Sequence, residues 1–509
     1  MSAPGHRRPD HTVVVIGAGL SGIGMGIALQ RAGLDDYLIL ERAGDIGGTW
    51  RDNTYPGVAV DIPAQCYQFS FALNPDWSRV FAPGAEVKAY IDRVAADHDL
   101  RRHIRFDTEV TERVWDEVDH LWRLHTSAGV VTARFVVSAI GPFVDPKPVD
   151  IPGADDFAGP VLRSSHWDHT VDLRGKRVAI VGTGASAVQI IPEIAPILAH
   201  LDVYQRTPIW VGPKPDPATP AFLRGTFRKI PAVQSGVRKL AVRNVERLLI
   251  DLTVNYRRLA LAGRSAEGLG RELWYRQVRD PQTRRKLTPR YSLGCKRPAV
   301  SNTYLRTFNR ANVELVTDSI ERITGTGVRT IDGVDRDVDV LVLATGFRLA
   351  SDPENFRRTP VRGRDGFDLA TAYVDNRLAS YEGISMPGLP NHFMMFGPYG
   401  WIGGTWHQLV EIASAHIVRV IGEANRRAAT AVEIRADATA EWTQRMRARM
   451  DDSLFLTGNC ATANSYYFDH HGDVPYLRPT SSAQAVDAAR TFPLDDYEYR
   501  APVITRRTA

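Results

Sequence analysis

Two copies of a strand, glycine turn and helix pattern set the tightest limit on what this chain can fold into. The first runs from the β-rich residues 12–16 into Gly17-Ala-Gly19-Leu-Ser21-Gly22 and predicts a helix over residues 23–32. The second runs from Arg177 to Val181 into Gly182-Thr183-Gly184-Ala-Ser186-Ala187, then an apolar helical stretch that holds Gln189. In such a turn the first glycine permits the sharp bend and the second lets backbone approach a pyrophosphate. The third lets helix pack on strand, and the first amides of the helix face the phosphates. Ala187 replaces the third glycine in the second copy, a tolerated variant. One copy alone is weak evidence, because many glycine turns only close a loop. Two copies predict two dinucleotide sites, and electron transfer from one bound cofactor to another.

The residues beyond each turn separate the two sites. After the first, a strand over residues 37–40 ends in Glu41, about where a ribose hydroxyl needs an acceptor. A surface glutamate at a strand end is the plain alternative, but the order of strand, turn, helix, strand and acid fits the nucleotide reading. After the second, a strand over residues 201–204 ends in Gln205-Arg206-Thr207. A guanidinium and a hydroxyl suit a 2′-phosphate, which a carboxylate would repel. The N-terminal site therefore suits FAD and the central site NADPH.

A chain of 509 residues is too long for one ordinary core, so two to four domains are expected. Its 44% hydrophobic and 24% charged residues exclude a disordered chain. No apolar run reaches the ~18 residues of a membrane span, and residues 13–16 are too few for a signal-peptide core. The cysteines, Cys66, Cys295 and Cys460, are odd in number, far apart and free of any CxxC. That pattern argues against a disulfide framework, a zinc ribbon or a dithiol centre, and for a reducing compartment, the cytoplasm. No metal site is expected.

Residues 86–98 read as an amphipathic helix, 110–127 as strands beginning at Val110, and 133–141 as an apolar strand. The proline-containing 142–152 reads as an interdomain linker. Residues 221–297 carry nineteen Lys and Arg against five acids, more than the whole net charge of +5. Helical spacing of Val242, Val245, Leu249 and Leu252 predicts a helix over 237–261. Its basic face reads as a solvated surface or an electrostatic funnel for an anionic cofactor, with a membrane or nucleic-acid contact the less favoured reading. No aromatic-interleaved nucleic-acid motif accompanies it. The expected fold is α/β, with two Rossmann-like dinucleotide-binding domains and a helical insertion. The FAD domain takes 1–144 and 350–509, the NADPH domain 145–214 and 291–349, and the insertion 215–290.

Several motifs carry a family resemblance that spans about residues 13–480. They are Gly47-Gly48-Thr49-Trp50, Tyr55-Pro-Gly57-Val-Ala-Val-Asp61, Tyr67, Gly294-Cys295-Lys296-Arg297 and Pro390 to Gly400. The chain resembles class B flavoprotein monooxygenases, the Baeyer-Villiger branch in particular. The resemblance implies that Gly48, Thr49, Trp50, Asp61, Tyr67 and Gln408 lie on the flavin and substrate side, and Val110 is also expected in the cofactor site. It places Lys296 near the 2′-phosphate and Arg297 over the flavin, with Asp61 tuning Arg297. It also implies oxygenation of a ketone by O₂, through a C4a-peroxyflavin, to an ester or lactone. Composition alone would read Lys296 and Arg297 as the end of a basic block, and Asp61 as a turn acid before Pro63.

The competing readings are a flavin monooxygenase of soft N or S atoms, a disulfide reductase, which needs a cysteine pair at the flavin, and a non-catalytic NADPH-binding protein. Trp401, Trp406, Tyr466 and Tyr467 read equally as an apolar pocket or as core. The family fingerprint F-x-G-x-x-x-H-x-x-x-W-[P/D] is present as Phe157, Gly159, Trp167 and Asp168, with Arg163 in place of its histidine and His166 nearby. Because that fingerprint lies between domains, the replacement is expected to alter coupling or pH dependence while oxygenation is retained.

Overall fold

The computed structural model describes residues 8–501. Val13, Val14 and Val15 are fully buried, as a strand covered on both faces requires. That strand, β1 (His11–Ile16), lies between β2 (Tyr37–Leu40) and β6 (Gly129–Ser138), parallel to both. The sheet continues through β3 (Ile104–Arg105) on one side. On the other it runs through the antiparallel β5 (Leu121–Thr126) and β4 (Val110–Asp116) to β19 (Val361–Arg362). A late strand, β20 (His392–Met394), pairs with the C-terminal half of β6, so residues from both ends of the chain build one unit. Helix α1 (Leu20–Arg31) follows the first glycine turn and begins three residues earlier than its apolar pattern suggests. It packs against the long helix Trp406–Arg426. The amphipathic stretch near residue 90 forms α3 (Gly84–Asp97), which buries Val87, Tyr90, Ile91 and Val94 in the same core.

The second sheet is wholly parallel, in the order β13 (Val313–Val316), β10 (His200–Tyr204), β9 (Arg177–Val181), β17 (Val340–Leu343), β8 (Val161–Arg163). Helix α4 (Ala185–Ile194) leaves its central strand through the second glycine turn. A small antiparallel sheet, β14 (Ile320–Ile323), β15 (Gly327–Thr330) and β16 (Asp335–Asp337), leads from β13 to β17. The segment 142–152 is more than a linker. Its strand β7 (Phe143–Pro146) pairs antiparallel with β18 (Phe347–Leu349), so the two chain crossings between the nucleotide units run side by side.

The basic insertion opens and closes on a two-stranded clip, β11 (Val211–Gly212) with β12 (Ala299–Val300). It starts with α5 (Ala221–Lys229), and the single helix expected over 237–261 is interrupted. Helix α6 (Pro231–Glu246) passes into a π-turn, Arg247–Asp251, before α7 (Tyr256–Leu269) starts. The Thr253 hydroxyl donates to the Leu249 carbonyl and the Asn255 amide to the Asp251 carboxylate. Such short polar side chains offer the backbone alternatives to the helical ladder. The break lets Ile250 press against Gly403, where any Cβ would meet it.

The cysteine expectation is overturned. Cys295 and Cys460 are joined as a disulfide, with Cα atoms 5.3 Å apart and a sequence separation of 165. Odd count and wide spacing carry no information about distance in the fold. The inference of a reducing compartment from the cysteines falls with it. Cys66 is the remaining thiol, buried, and burial pushes it up to about 12. Among the described residues no helix is long and apolar enough to cross a membrane.

Candidate active site

The first cradle is built from backbone. Gly17 has φ +103°, and a Cβ there would stand 2.9 Å from the Ala139 carbonyl; a Cβ on Gly22 would collide with the Gly17 carbonyl. Gly19 and Gly48 face each other across the cradle, and the Gly47 amide donates to the Ala18 carbonyl at 3.0 Å. The short helix α2 (Thr49–Asp52) comes next in the chain. Glu41 closes β2 with its carboxylate buried, accepting from the Ala18 amide (2.7 Å) and from Arg51 (3.0 Å). An acid held on the turn itself, beside a cradle that no side chain fills, fits a dinucleotide ribose and pyrophosphate.

Other parts of the chain converge on the same cradle. The Trp50 indole donates to the Tyr67 hydroxyl at 3.0 Å, and the Trp406 indole to the Ser21 hydroxyl at 3.1 Å. Gln408 sits in the first turn of the long helix, with its side-chain oxygen buried and unpartnered among the described residues. Val110 is a core residue at the start of β4, packed with Val14 and Ile16.

In the second cradle Gly182 has φ +113° and lies against the Ala344 carbonyl, while the fully buried Ala187 seats α4 on the sheet. The Thr183 hydroxyl donates to the Thr207 carbonyl at 3.2 Å. Gln189 bridges the units: it accepts from the Tyr55 hydroxyl at 2.9 Å and donates to the Ala59 carbonyl at 3.1 Å. Arg206, Lys296 and Lys147 gather beyond the turn. Burial first, then Arg206 and Lys147, push the Lys296 ammonium below the ordinary lysine range. Three cations drawn together are a site for a multiply charged anion. Asn464 reaches over from the far end of the chain, its amide oxygen accepting from the Arg206 guanidinium.

Between the cradles stands one ion pair. Arg297 holds Asp61 with both arms of its fork, Nε to Oδ2 at 2.7 Å and Nη2 to Oδ1 at 2.8 Å. Burial acts to raise the Asp61 carboxyl, but Arg297 overcomes it and holds Asp61 below the usual carboxylate range. The carboxylate in turn raises Arg297 further. The pair is not sealed: the side chains keep 25% and 35% of their surface, Arg297 and Asp61 respectively. The Trp401 ring centre lies 5.9 Å from the guanidinium, and Tyr466 and Tyr467 are close enough to feel its charge. Trp406 packs on Phe396, whose ring also meets Trp401. Sequence reasoning names the pair and the aromatics but misses Lys147, Asn464 and Tyr55. No motif marks Lys147 or Asn464, and the motif that opens at Tyr55 does not show its partner Gln189; each of the three lies on an irregular segment whose neighbours are set by tertiary folding.

A chain with two cradles of different ribose chemistry, closed on one shared ion pair, belongs to the class of two-dinucleotide flavoprotein oxidoreductases. The family model described as pyridine nucleotide-disulphide oxidoreductase matches residues 14–221. A Baeyer-Villiger monooxygenase of Streptomyces coelicolor is 36% identical over 502 residues, covering 96% of this chain and 93% of that protein. One from Pseudomonas aeruginosa is 38% identical over 450 residues, 88% and 84%. The chain is a member of the Baeyer-Villiger monooxygenase family of class B flavoprotein monooxygenases. Among solved structures, an oxidized steroid monooxygenase bound to NADP superposes with TM-score 0.85 at 28% identity, covering 97% of this chain and all of that one. A cyclohexanone monooxygenase from Rhodococcus sp. Phi1 bound to NADP+ gives the same values.

Proposed function

We propose that this enzyme inserts one atom of O₂ beside the carbonyl of a ketone to give an ester or lactone. FAD is held by 1–144 with 350–509, NADPH by 145–214 with 291–349, and 215–290 forms the insertion. The cofactors supply hydride transfer and oxygen activation. Gly17, Gly19, Ser21, Gly22 and Glu41 hold the FAD pyrophosphate and ribose, while Gly48, Thr49, Trp50, Tyr67 and Gln408 flank the ring. Gly182, Thr183, Gly184, Ser186, Ala187 and Gln189 receive NADPH, and Arg206, Thr207 and Lys296 hold its 2′-phosphate.

The observation that carries the reading is the bidentate Asp61–Arg297 pair at the junction of the cradles. Arg297 stays charged at any working pH and stabilises negative charge developing on oxygen. Asp61 fixes the plane of its fork through two hydrogen bonds. Trp401, Tyr466 and Tyr467 give that charge a partly apolar surround, which strengthens it. Oxygenation of soft N or S atoms needs no such fixed cation beside the reacting oxygen.

The test is NADPH oxidation with product identification over cyclic, linear, aryl and steroidal ketones. Arg297→Ala should leave the protein yellow and lower ester formation by about 100- to 1,000-fold, the usual cost of removing one electrostatic stabiliser. Unchanged ketone oxygenation in that variant would refute the assignment.

A further inference from the structure

The disulfide fastens one end of a strap that serves both cofactor sites. Between the short helix Leu454–Thr457 and the helix Ser482–Thr491 the chain forms no helix or strand. A structureless run of that length is uncommon in a folded unit unless it is functional or pinned. This one is pinned at both ends. At its far end the Trp401 amide donates to the Tyr476 carbonyl (2.9 Å) and the Arg478 amide to the Trp401 carbonyl (2.8 Å). At its near end Cys460 is bonded to Cys295, beside hydrogen bonds between Ser292 and Asn459. Between the pins the strap carries Asn464 to Arg206, and Tyr466 and Tyr467 to Arg297. Cys295 itself precedes Lys296 and Arg297 directly in the chain.

We propose that Cys295–Cys460 is a redox modification site that sets coenzyme affinity and coupling. Closed, it holds the strap over Arg206 and Arg297; open, it releases the near end. The inference rests on the roles given above to Arg206 and Arg297. Both sulfurs lie in the apolar cluster with Tyr291, Leu454 and Phe455, so the closed bond is shielded. Release of the strap exposes the thiols. Hydrogen peroxide, shed when reduced oxygen escapes transfer to a ketone, is the oxidant. One thiol takes an oxygen from peroxide, giving a sulfenic acid and water; the second thiol displaces that oxygen as water and forms the S–S bond. Two thiols and one peroxide thus yield one disulfide and two waters. A leaking enzyme closes its own strap.

Thiols are titrated in denatured holoenzyme before and after treatment with a phosphine reductant. One thiol, Cys66, is expected before and three after. Reduced wild type and Cys460→Ser should both show KM for NADPH raised about tenfold, as when one charge-assisted contact is lost. Peroxide released per NADPH should rise several-fold while kcat changes little. Turnover of reduced wild type with NADPH and O₂ without ketone should return the count to one, and catalase should prevent it. Three thiols in untreated holoenzyme, or equal KM and peroxide yield in the two thiol states, would overturn the proposal. Absence of ester from the oxidised wild type would instead strike at the functional reading.

Discussion

Lys296 is where a single titration reports on the site. Burial and its two cationic neighbours lower its ammonium, so its charge is lost at a lower pH than for an ordinary lysine. Affinity for the 2′-phosphate should therefore weaken as pH rises through the lowered value, sooner than an ordinary lysine would lose its charge. KM for NADPH measured against pH should climb on the alkaline side, and Lys296→Arg should flatten that limb because a guanidinium does not deprotonate there. KM for NADH, which lacks the phosphate, should show no such limb in either form. The identities of Lys296 and Arg297 are legible in the sequence because a short motif holds them. Their surroundings are not. Asp61 is 236 residues from Arg297, and Asn464 and Lys147 reach the phosphate cluster from irregular segments that no periodicity describes.

At the level of elements, the two glycine turns are the most legible parts, because positive φ and close backbone approach are demands only certain residues meet. Gly182 meets both, against the Ala344 carbonyl. Gly182→Ala should cost about 1–3 kcal/mol of local strain and weaken NADPH about tenfold or more. Flavin content should be retained, since the first cradle is separate; rapid-mixing reduction of the bound flavin by NADPH, with the visible spectrum, checks both halves. Strands are legible to within a residue or two where apolar runs are buried on both faces, as in β1 and β9. In the insertion, apolar spacing that continues through Leu249 and Leu252 predicts one unbroken helix, whereas the π-turn answers to Thr253, Asn255 and the contact of Ile250 with Gly403. The disulfide lies beyond sequence reasoning altogether, for the fold alone brings Cys295 to Cys460.

Across the whole molecule, the nucleotide units are linked by the β7–β18 crossing and by Tyr55–Gln189. Arg163 stands at the end of β8, in register with Leu343, three residues before Gly346 and the return crossing. We propose that a side chain there, beside the return crossing, influences how the units move against each other. Arg163→His should leave ester formation in place and shift peroxide yield or the pH profile of NADPH oxidation; identical coupling and profile would remove Arg163 from that role. In the division proposed above, the ion pair takes its acid from the FAD unit and its base from the NADPH unit. Chimeras obey different rules as a result. Exchanging the coenzyme segment with that of a relative, to change NADPH for NADH, transplants the arginine while leaving its carboxylate behind. Such a graft should succeed only when the donor's arginine finds the recipient's aspartate, which would tie coenzyme preference to oxygen chemistry.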